Sequence, residues 1–227
     1  MGRTLRRRLD RTLLGFINGL DWATRDPSRL VDQTPHEVVF SHDLLTLRHY
    51  PAPAREEAWA LGSEVMPATQ IQRHRVPVLL IPPLMVKPFI YDLSPNRSYV
   101  RTLLARGYDV YLVDFGEPRR SDQWVRLDDY VLSWIPETID ELLRHSGRDQ
   151  VTLLGYCMGG MFALMHASAN QDERVRNIIT IGSPVDSHKM GLLAWLVRRV
   201  LARRVPRLAS DASPAWITRF EGVGLSV

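Results

Sequence analysis

The amino-acid sequence predicts an α/β protein with a doubly wound, mostly parallel sheet and helices on both faces. From residue 76 onward, short apolar runs alternate with helical patterns in the order β-α-β-α-β-α-β. The connections are short, and the runs are nearly continuous, as in strands buried on both faces. A chain of 227 residues, 45 % hydrophobic and 24 % charged, is long enough to bury such a sheet in one domain.

The N-terminal segment, residues 1–33, is predicted to be a basic amphipathic helix that ends near Asp26-Pro27. We expect it to pack on the domain; the alternative is a helix that binds a lipid or polymer surface. The apolar stretch behind its basic start is short and is interrupted by Asn18 and Asp21, which argues against a signal peptide. The apolar positions of the helix are Leu5, Leu9, Leu13, Phe16, Ile17 and Leu20.

Two short β patterns, Glu37–Ser41 and Leu44–Tyr50, come next, with His42-Asp43 as the predicted hairpin turn. They are expected to form the antiparallel edge that such sheets often carry. Residues 51–75 are first rich in Pro and Ala and then polar. This composition indicates a connector, with at most a short helix over Ala54–Leu61.

The core of the fold is assigned to residues 34–187, and its parallel part begins with the apolar run Val76–Ile81. Ser94-Pro95 supplies a helix N-cap followed by proline at the first helical position, and Gly107 ends this helix. Tyr108–Phe115 is the next predicted strand.

A polar loop over 116–123 then leads to a long amphipathic helix over 127–145, which Gly147 ends. Val151–Leu154 and Val175–Ile181 are the last two predicted strands. The helix between these two strands begins directly after the first of them, without a loop.

The junction between that strand and helix is Gly155-Tyr156-Cys157-Met158-Gly159. A strand, a sharp turn flanked by glycines and a helix form a nucleophile elbow, in which Ser usually occupies the middle position. Here the position holds the only cysteine of the chain. We therefore predict an α/β-hydrolase-type domain in which Cys157 is an acyl-accepting nucleophile and Gly155 and Gly159 allow close backbone packing. The alternative role for Cys157 is that of a small buried hydrophobic residue.

An oxyanion hole is expected beside the cysteine. The N–H of Met158, directly after the nucleophile, is the first predicted donor. The second should come from the loop after the first parallel strand, where Leu84 and Met85 are the candidates because proline has no N–H to donate.

The general base and acid are harder to find in this sequence. His166 lies nine positions into the helix that Cys157 opens, about 13 Å along its axis, and cannot reach the thiol. His188 could approach only through an unusual loop, and Asp186 is more simply a turn or cap residue than a triad acid. We therefore expect a truncated chain, with the acid and the base on two further strands downstream of residue 227.

Residues 188–227 are predicted to be the start of a cap or lid region, with a basic amphipathic helix over 189–208; contact with a membrane or polymer is the alternative. The net charge of +4 is concentrated in residues 3–11 and 198–207 and gives no indication of nucleic-acid binding. No apolar run reaches the ~18 residues of a membrane span. No metal site is expected.

Several sequence blocks, in order, are similar to poly(3-hydroxyalkanoate) synthases, most of all to the class III type that works with a second subunit. The resemblance covers roughly residues 34–190. The blocks are Val76–Pro83, Lys87–Leu93, Ser98–Val100, Gly107–Asp114, Asp129–Val131 and Leu154–Gly160.

This resemblance implies an acyltransferase in which Cys157 carries the growing polyester as a thioester and takes 3-hydroxyacyl groups from coenzyme A. It implies no cofactor, the coenzyme A thioester being the substrate. It also implies a cytoplasmic protein, at the polyester granule surface, with a second synthase subunit or a homo-oligomer as partners. The triad Asp and His come later in that family, and Asp186 matches a family Asp that is not the triad acid.

Three positions depart from the family pattern. Val86 stands where the family usually has Asn, Met161 where it tends to have Thr, and Ile181–Pro184 replaces a Thr-Thr-Pro type sequence. These departures touch the oxyanion loop and the elbow. Two alternatives therefore stay open: a cysteine esterase, thioesterase or depolymerase-like hydrolase, and a non-catalytic, granule-associated relative.

Overall fold

A computed structural model describes residues 31–52, 59–61, 64–66 and 72–185. Nearly all of the predicted N-terminal helix lies outside the described residues, as does the predicted cap segment, 188–227. Asp186 also lies outside them.

The main sheet contains six strands in the order β1-β2-β6-β5-β7-β8. Strands β5, β6, β7 and β8 are parallel, whereas β1 pairs antiparallel with β2, and β2 pairs antiparallel with β6. The predicted parallel sheet with an antiparallel edge is thus confirmed. The six strands are β1 (Glu37–His42), β2 (Leu45–Tyr50), β5 (Val78–Ile81), β6 (Val110–Asp114), β7 (Val151–Tyr156) and β8 (Val175–Ile181); a separate hairpin contains β3 (Trp59–Leu61) and β4 (Glu64–Met66).

Helices cover both faces of this sheet. Leu79 and Leu153, on one face of the strands, pack with the helices Ile135–Ser146 and Met158–Asn170. Their neighbours Leu80 and Leu154 pack with the helix Tyr99–Ala105 on the other face. Burial on both faces is why the central strands at 78–81, 110–114 and 151–156 are nearly continuous apolar runs. The helices are α1 (Tyr99–Ala105), a π-helical turn (Asp129–Trp134) that continues into α2 (Ile135–Ser146), and α3 (Met158–Asn170); short 3-10 turns occupy Pro88–Tyr91 and Arg120–Asp122.

The predicted helix over Ala54–Leu61 is wrong where the structure describes it. Residues 59–61 form β3, which pairs antiparallel with β4, Trp59 opposite Met66. Gly62-Ser63 separates the two short runs in the sequence, and such a pair between apolar runs favours a hairpin.

Two element boundaries differ from the predicted ones. The turn between β1 and β2 lies at 43–44, one residue later than predicted, and Asp43 in this turn has a φ of 52°. The N-cap of α1 is Ser98, not Ser94, because the Ser98 hydroxyl accepts a hydrogen bond from the N–H of Arg101 at 3.0 Å. Ser94 instead begins a turn, its carbonyl accepting from the N–H of Arg97 at 2.9 Å.

The helix predicted over 127–145 begins with a π-helical turn for a reason that the sequence contains. Pro136 has no N–H to donate, so the helix cannot continue with regular bonds through it. The N–H of Ile135 donates to the carbonyl of Tyr130, five residues back, and the carbonyl of Val131 lies 3.2 Å from Nδ1 of His166. Gly147, with a φ of 65°, ends α2 as predicted.

His166 is fully buried on α3 and belongs to the core. Its Nε2 lies 3.1 Å from Oδ2 of Asp172. Asp172 also accepts two bonds from the guanidinium of Arg174, at 2.8 Å each, and the N–H of Arg174 at 3.1 Å. These contacts outweigh the burial of the carboxylate and hold the pKa of Asp172 low, at about 2.

Asp172→Asn should therefore lower the free energy of unfolding by about 2 kcal/mol at pH 7. The depressed pKa stabilises the fold above about pH 4, and this contribution is lost as the pH falls toward 2. Urea unfolding followed by circular dichroism at several pH values measures the difference. Asp140→Asn is the control: Asp140 contacts Arg174 from an exposed position, so its loss should cost under about 1 kcal/mol. Equal effects of the two substitutions would contradict the prediction.

Candidate active site

Cys157 occupies a sharp turn between the end of β7 and the start of α3. Its φ of 53° and ψ of −117° are strained for a non-glycine residue. The surrounding backbone holds this conformation: the N–H of Cys157 donates to the carbonyl of Ile181 at 2.8 Å, and its own carbonyl accepts from Gly160 at 3.2 Å. The side chain of Cys157 is half-buried, and the thiol is free.

Three glycines allow the elbow to pack this closely. A Cβ atom at Gly155 would overlap the backbone of Gly159 and Gly160, and one at Gly159 would overlap the carbonyl of Ile81. A Cβ atom at Gly160 would overlap the hydroxyl of Ser183. The first turn of α3 therefore lies directly against the C-terminal ends of β7 and β5.

This contact brings the loop after β5 to the elbow, because Gly159 lies against the carbonyls of both Ile81 and Pro82. Leu84 and Met85 form a turn in that loop, and the Met85 side chain is 90 % exposed. The N–H groups of Met158, Leu84 and Met85 donate to no other described residue. They are therefore free to act as oxyanion donors, and their catalytic role stays a prediction.

Tyr91 is a further residue of the site that the sequence did not single out. It is buried, and its hydroxyl donates to the carbonyl of Ile81 at 2.9 Å and lies 3.4 Å from that of Leu154. Burial raises the pKa of Tyr91, so that the hydroxyl remains a donor at neutral pH. Tyr91 thus connects the C-terminal ends of β5 and β7, next to the elbow that follows β7.

A cavity of about 550 Å³ opens next to the predicted oxyanion loop. Its walls are residues 82–89, after β5, and residues 114–118, after β6, with Tyr130 between them. Leu84 and Met85 line it, but Cys157 is not one of its lining residues. The cavity therefore gives access to the oxyanion loop rather than directly to the thiol.

Charged side chains line this cavity. Arg48 bridges two carboxylates, with Nη1 2.8 Å from Asp32 and Nη2 2.5 Å from Asp114. Burial works against the charge of Arg48, but the two carboxylates outweigh it and raise its pKa. Lys87 and Glu117 form an exposed ion pair at 2.5 Å that joins the two loops.

Residues 90–224 match the family described as the alpha/beta hydrolase fold. The chain belongs to the α/β-hydrolase family. This membership agrees with the six-stranded sheet and with a strained turn at the position that the fold reserves for its nucleophile. None of the described helices is long and apolar enough to cross a membrane.

Several curated relatives carry the name poly(3-hydroxyalkanoate) polymerase subunit PhaC. The protein from Haloferax mediterranei is 41 % identical over 65 % of this chain, that from Synechocystis sp. 40 % over 78 %, and that from Thiocystis violacea 36 % over 72 %. The similarity to poly(3-hydroxyalkanoate) synthases is confirmed. The matched regions span 27 %, 43 % and 42 % of those relatives, so the chain corresponds to less than half of each.

Among solved structures, the chain resembles epoxide hydrolase A from Mycobacterium thermoresistibile with a TM-score of 0.43 and 14 % identity. The match covers 74 % of this chain and 44 % of that one.

Gly159→Ala tests the close contact between α3 and β5. The added methyl group must displace the end of β5, and we expect the free energy of unfolding to fall by about 3 kcal/mol. Gly147→Ala is the control, because a Cβ there meets no atom within 4 Å. Only the positive φ is unfavourable for alanine, which should lower the free energy of unfolding by about 1 kcal/mol. Urea unfolding of both variants measures the difference, and a Gly159→Ala variant as stable as Gly147→Ala would contradict the packing described.

Proposed function

We propose that this chain carries the nucleophile of a poly(3-hydroxyalkanoate) synthase, an acyltransferase that polymerises 3-hydroxyacyl groups from coenzyme A. The observation that carries the proposal is the strained backbone of Cys157 at the junction of β7 and α3. The names of the curated relatives support the substrate class.

In the proposed reaction the Cys157 thiolate attacks the carbonyl carbon of the acyl-coenzyme A thioester. A new C–S bond forms, and the N–H groups of Met158 and of Leu84 or Met85 stabilise the negative oxygen. The intermediate collapses by breaking the old C–S bond, and coenzyme A leaves as a thiolate that takes up a proton. The acyl group then remains on Cys157 as a thioester.

Chain growth requires a second attack, by the hydroxyl of another 3-hydroxyacyl-coenzyme A on the thioester at Cys157. An ester C–O bond forms, the C–S bond to Cys157 breaks, and the released Cys157 thiolate then takes the lengthened chain from its coenzyme A thioester, which frees coenzyme A. This step needs a general base to accept the hydroxyl proton. His166 is not this base in our proposal, because its ring contacts Val131 and Asp172 in the core. We propose that the base and its acid partner lie outside the described residues.

The remaining parts of the proposal follow from the same family. Coenzyme A thioester is the substrate and no cofactor is needed for acyl transfer. A second synthase subunit or a second copy of the chain is the proposed partner, and the cytoplasmic surface of a polyester granule is the proposed location.

Acylation of the chain by 3-hydroxybutyryl-coenzyme A tests the nucleophile. Intact-mass spectrometry should show one added 3-hydroxybutyryl group on the wild type and none on Cys157→Ala, because the thioester needs the sulfur. Cys157→Ser keeps the size of the side chain and distinguishes loss of the thiol from a change in packing. An adduct on Cys157→Ala would contradict the proposal. Release of free acid without any oligomer, from a preparation that contains the complete enzyme, would favour a hydrolase.

Substituting proline in the loop after β5 tests the second oxyanion donor. If Leu84 or Met85 supplies it, either Leu84→Pro or Met85→Pro should slow acylation by about 10²–10³-fold, because proline has no N–H. Leu84→Ala and Met85→Ala keep the N–H and are the matched controls. Single-turnover release of coenzyme A gives the rates. Unchanged rates in both proline variants would show that the donor lies elsewhere.

A further inference from the structure

A row of chemically active side chains crosses the sheet far from the elbow. Glu37 on β1 lies opposite His49 on β2, and His49 lies opposite Tyr111 on β6. Directly paired residues on neighbouring strands project from the same face of a sheet. His145, in the last turn of α2, lies over this row, with its ring centre 4.9 Å from that of His49 and 5.8 Å from that of Tyr111.

Three ligand atoms converge there. Oε1 of Glu37 lies 3.0 Å from Nδ1 of His49 and 3.9 Å from Nε2 of His145. All three residues offer a ligand atom within 4.8 Å of the others. In a tetrahedral zinc site with bonds of about 2.0–2.1 Å, neighbouring ligand atoms lie roughly 3.3 Å apart. The observed separations lie around this value, so small side-chain movements suffice to bring the atoms to it.

The other nitrogen of each histidine already has a partner. Nε2 of His49 lies 2.9 Å from a carboxylate oxygen of Asp109, and Nδ1 of His145 lies 2.8 Å from the hydroxyl of Tyr111. Histidines that bind metal almost always donate their second N–H to such a carboxylate or oxygen, which fixes the tautomer. The arrangement leaves Nδ1 of His49 and Nε2 of His145 to face Glu37.

We propose that Glu37, His49 and His145, with Asp109 and Tyr111 behind them, bind a divalent transition-metal ion, Zn²⁺ by the chemistry of the ligands. Two imidazoles and one carboxylate are a zinc-type set, whereas Ca²⁺ and Mg²⁺ prefer all-oxygen sites. Glu37 is 59 % exposed and His145 34 %. The metal therefore has a path from solvent and a fourth position for water.

The site lies at the opposite edge of the sheet from Cys157. Strands β6 and β7 both pair parallel with β5, so all three run in the same direction. Tyr111 is near the start of β6, whereas Cys157 follows the C-terminal end of β7. The metal would therefore not take part in acyl transfer. It would join α2 to the antiparallel edge formed by β1 and β2, which stabilises the fold.

The sequence did not indicate this site, and the proposal departs from the expectation of no metal. Residues 37, 49 and 145 form no recognisable ligand spacing, since only strand register and the position of α2 bring them together. Without metal the same groups share hydrogen bonds. Burial of His49 opposes its charge, but Asp109 and Glu37 outweigh this effect and raise its pKa, and the bond from His49 lowers the pKa of Glu37.

Titration of the chain with Zn²⁺ and Co²⁺ tests the proposal, in a Cys157→Ser background so that the thiol cannot bind the metal. Calorimetry should show saturable binding of one ion, Zn²⁺ should raise the melting temperature, and Co²⁺ should develop the strong visible absorption of a four-coordinate site. Glu37→Gln and His145→Gln should weaken binding by at least ~100-fold, and Asp109→Asn, behind His49, by ~10–100-fold.

His42→Gln is the matched control. His42 is an exposed histidine at the end of β1 whose ring lies 2.9 Å from Glu137 on α2. It lies outside the proposed site, so the His42→Gln variant should bind Zn²⁺ with unchanged affinity. Circular dichroism establishes that each variant is folded. Absence of saturable binding, or equal affinity in Glu37→Gln, His145→Gln and His42→Gln, would overturn the proposal and leave a hydrogen-bonded network only.

Discussion

The contact between the first turn of α3 and the end of β5 is the constraint on which the rest of the site depends. Gly159 leaves no space between the helix and the carbonyl of Ile81. The position of α3 in turn holds Cys157 in its strained conformation, since the carbonyl of Cys157 accepts hydrogen bonds from the same helical turn. The predicted nucleophile and the predicted oxyanion loop are thus positioned by a single packing contact between backbones.

Polar side chains inside the core contact backbone carbonyls around this arrangement. Pro136 has no N–H to offer the helical turn before it, and Nδ1 of His166 on α3 lies 3.2 Å from the carbonyl of Val131 in that turn. Tyr91 bonds carbonyls at the C-terminal ends of β5 and β7 in the same way. The contacts of these two residues give them a structural role.

Much of the fold could be predicted because the signals were local. Apolar runs predicted all four parallel strands to within about two residues, and the glycine pattern predicted the elbow between β7 and α3. The predictions that failed depended on competition between local signals. Ser94 and Ser98 can each cap a helix, and only the bond to Arg101 identifies Ser98. The hairpin at 59–66 was missed because each of its strands has only three residues, too few for a period to be seen.

By itself, the sequence determined the fold class, the order of the elements and the nucleophile candidate, because hydrophobic period, glycine spacing and one cysteine are properties of neighbouring residues. Only the tertiary structure decided which distant residues meet. It brought Arg48 between Asp32 and Asp114, and it placed Glu37, His49 and His145 within reach of one ion. Strand register and helix packing determine these contacts, and neither can be derived from the spacing of residues along the chain.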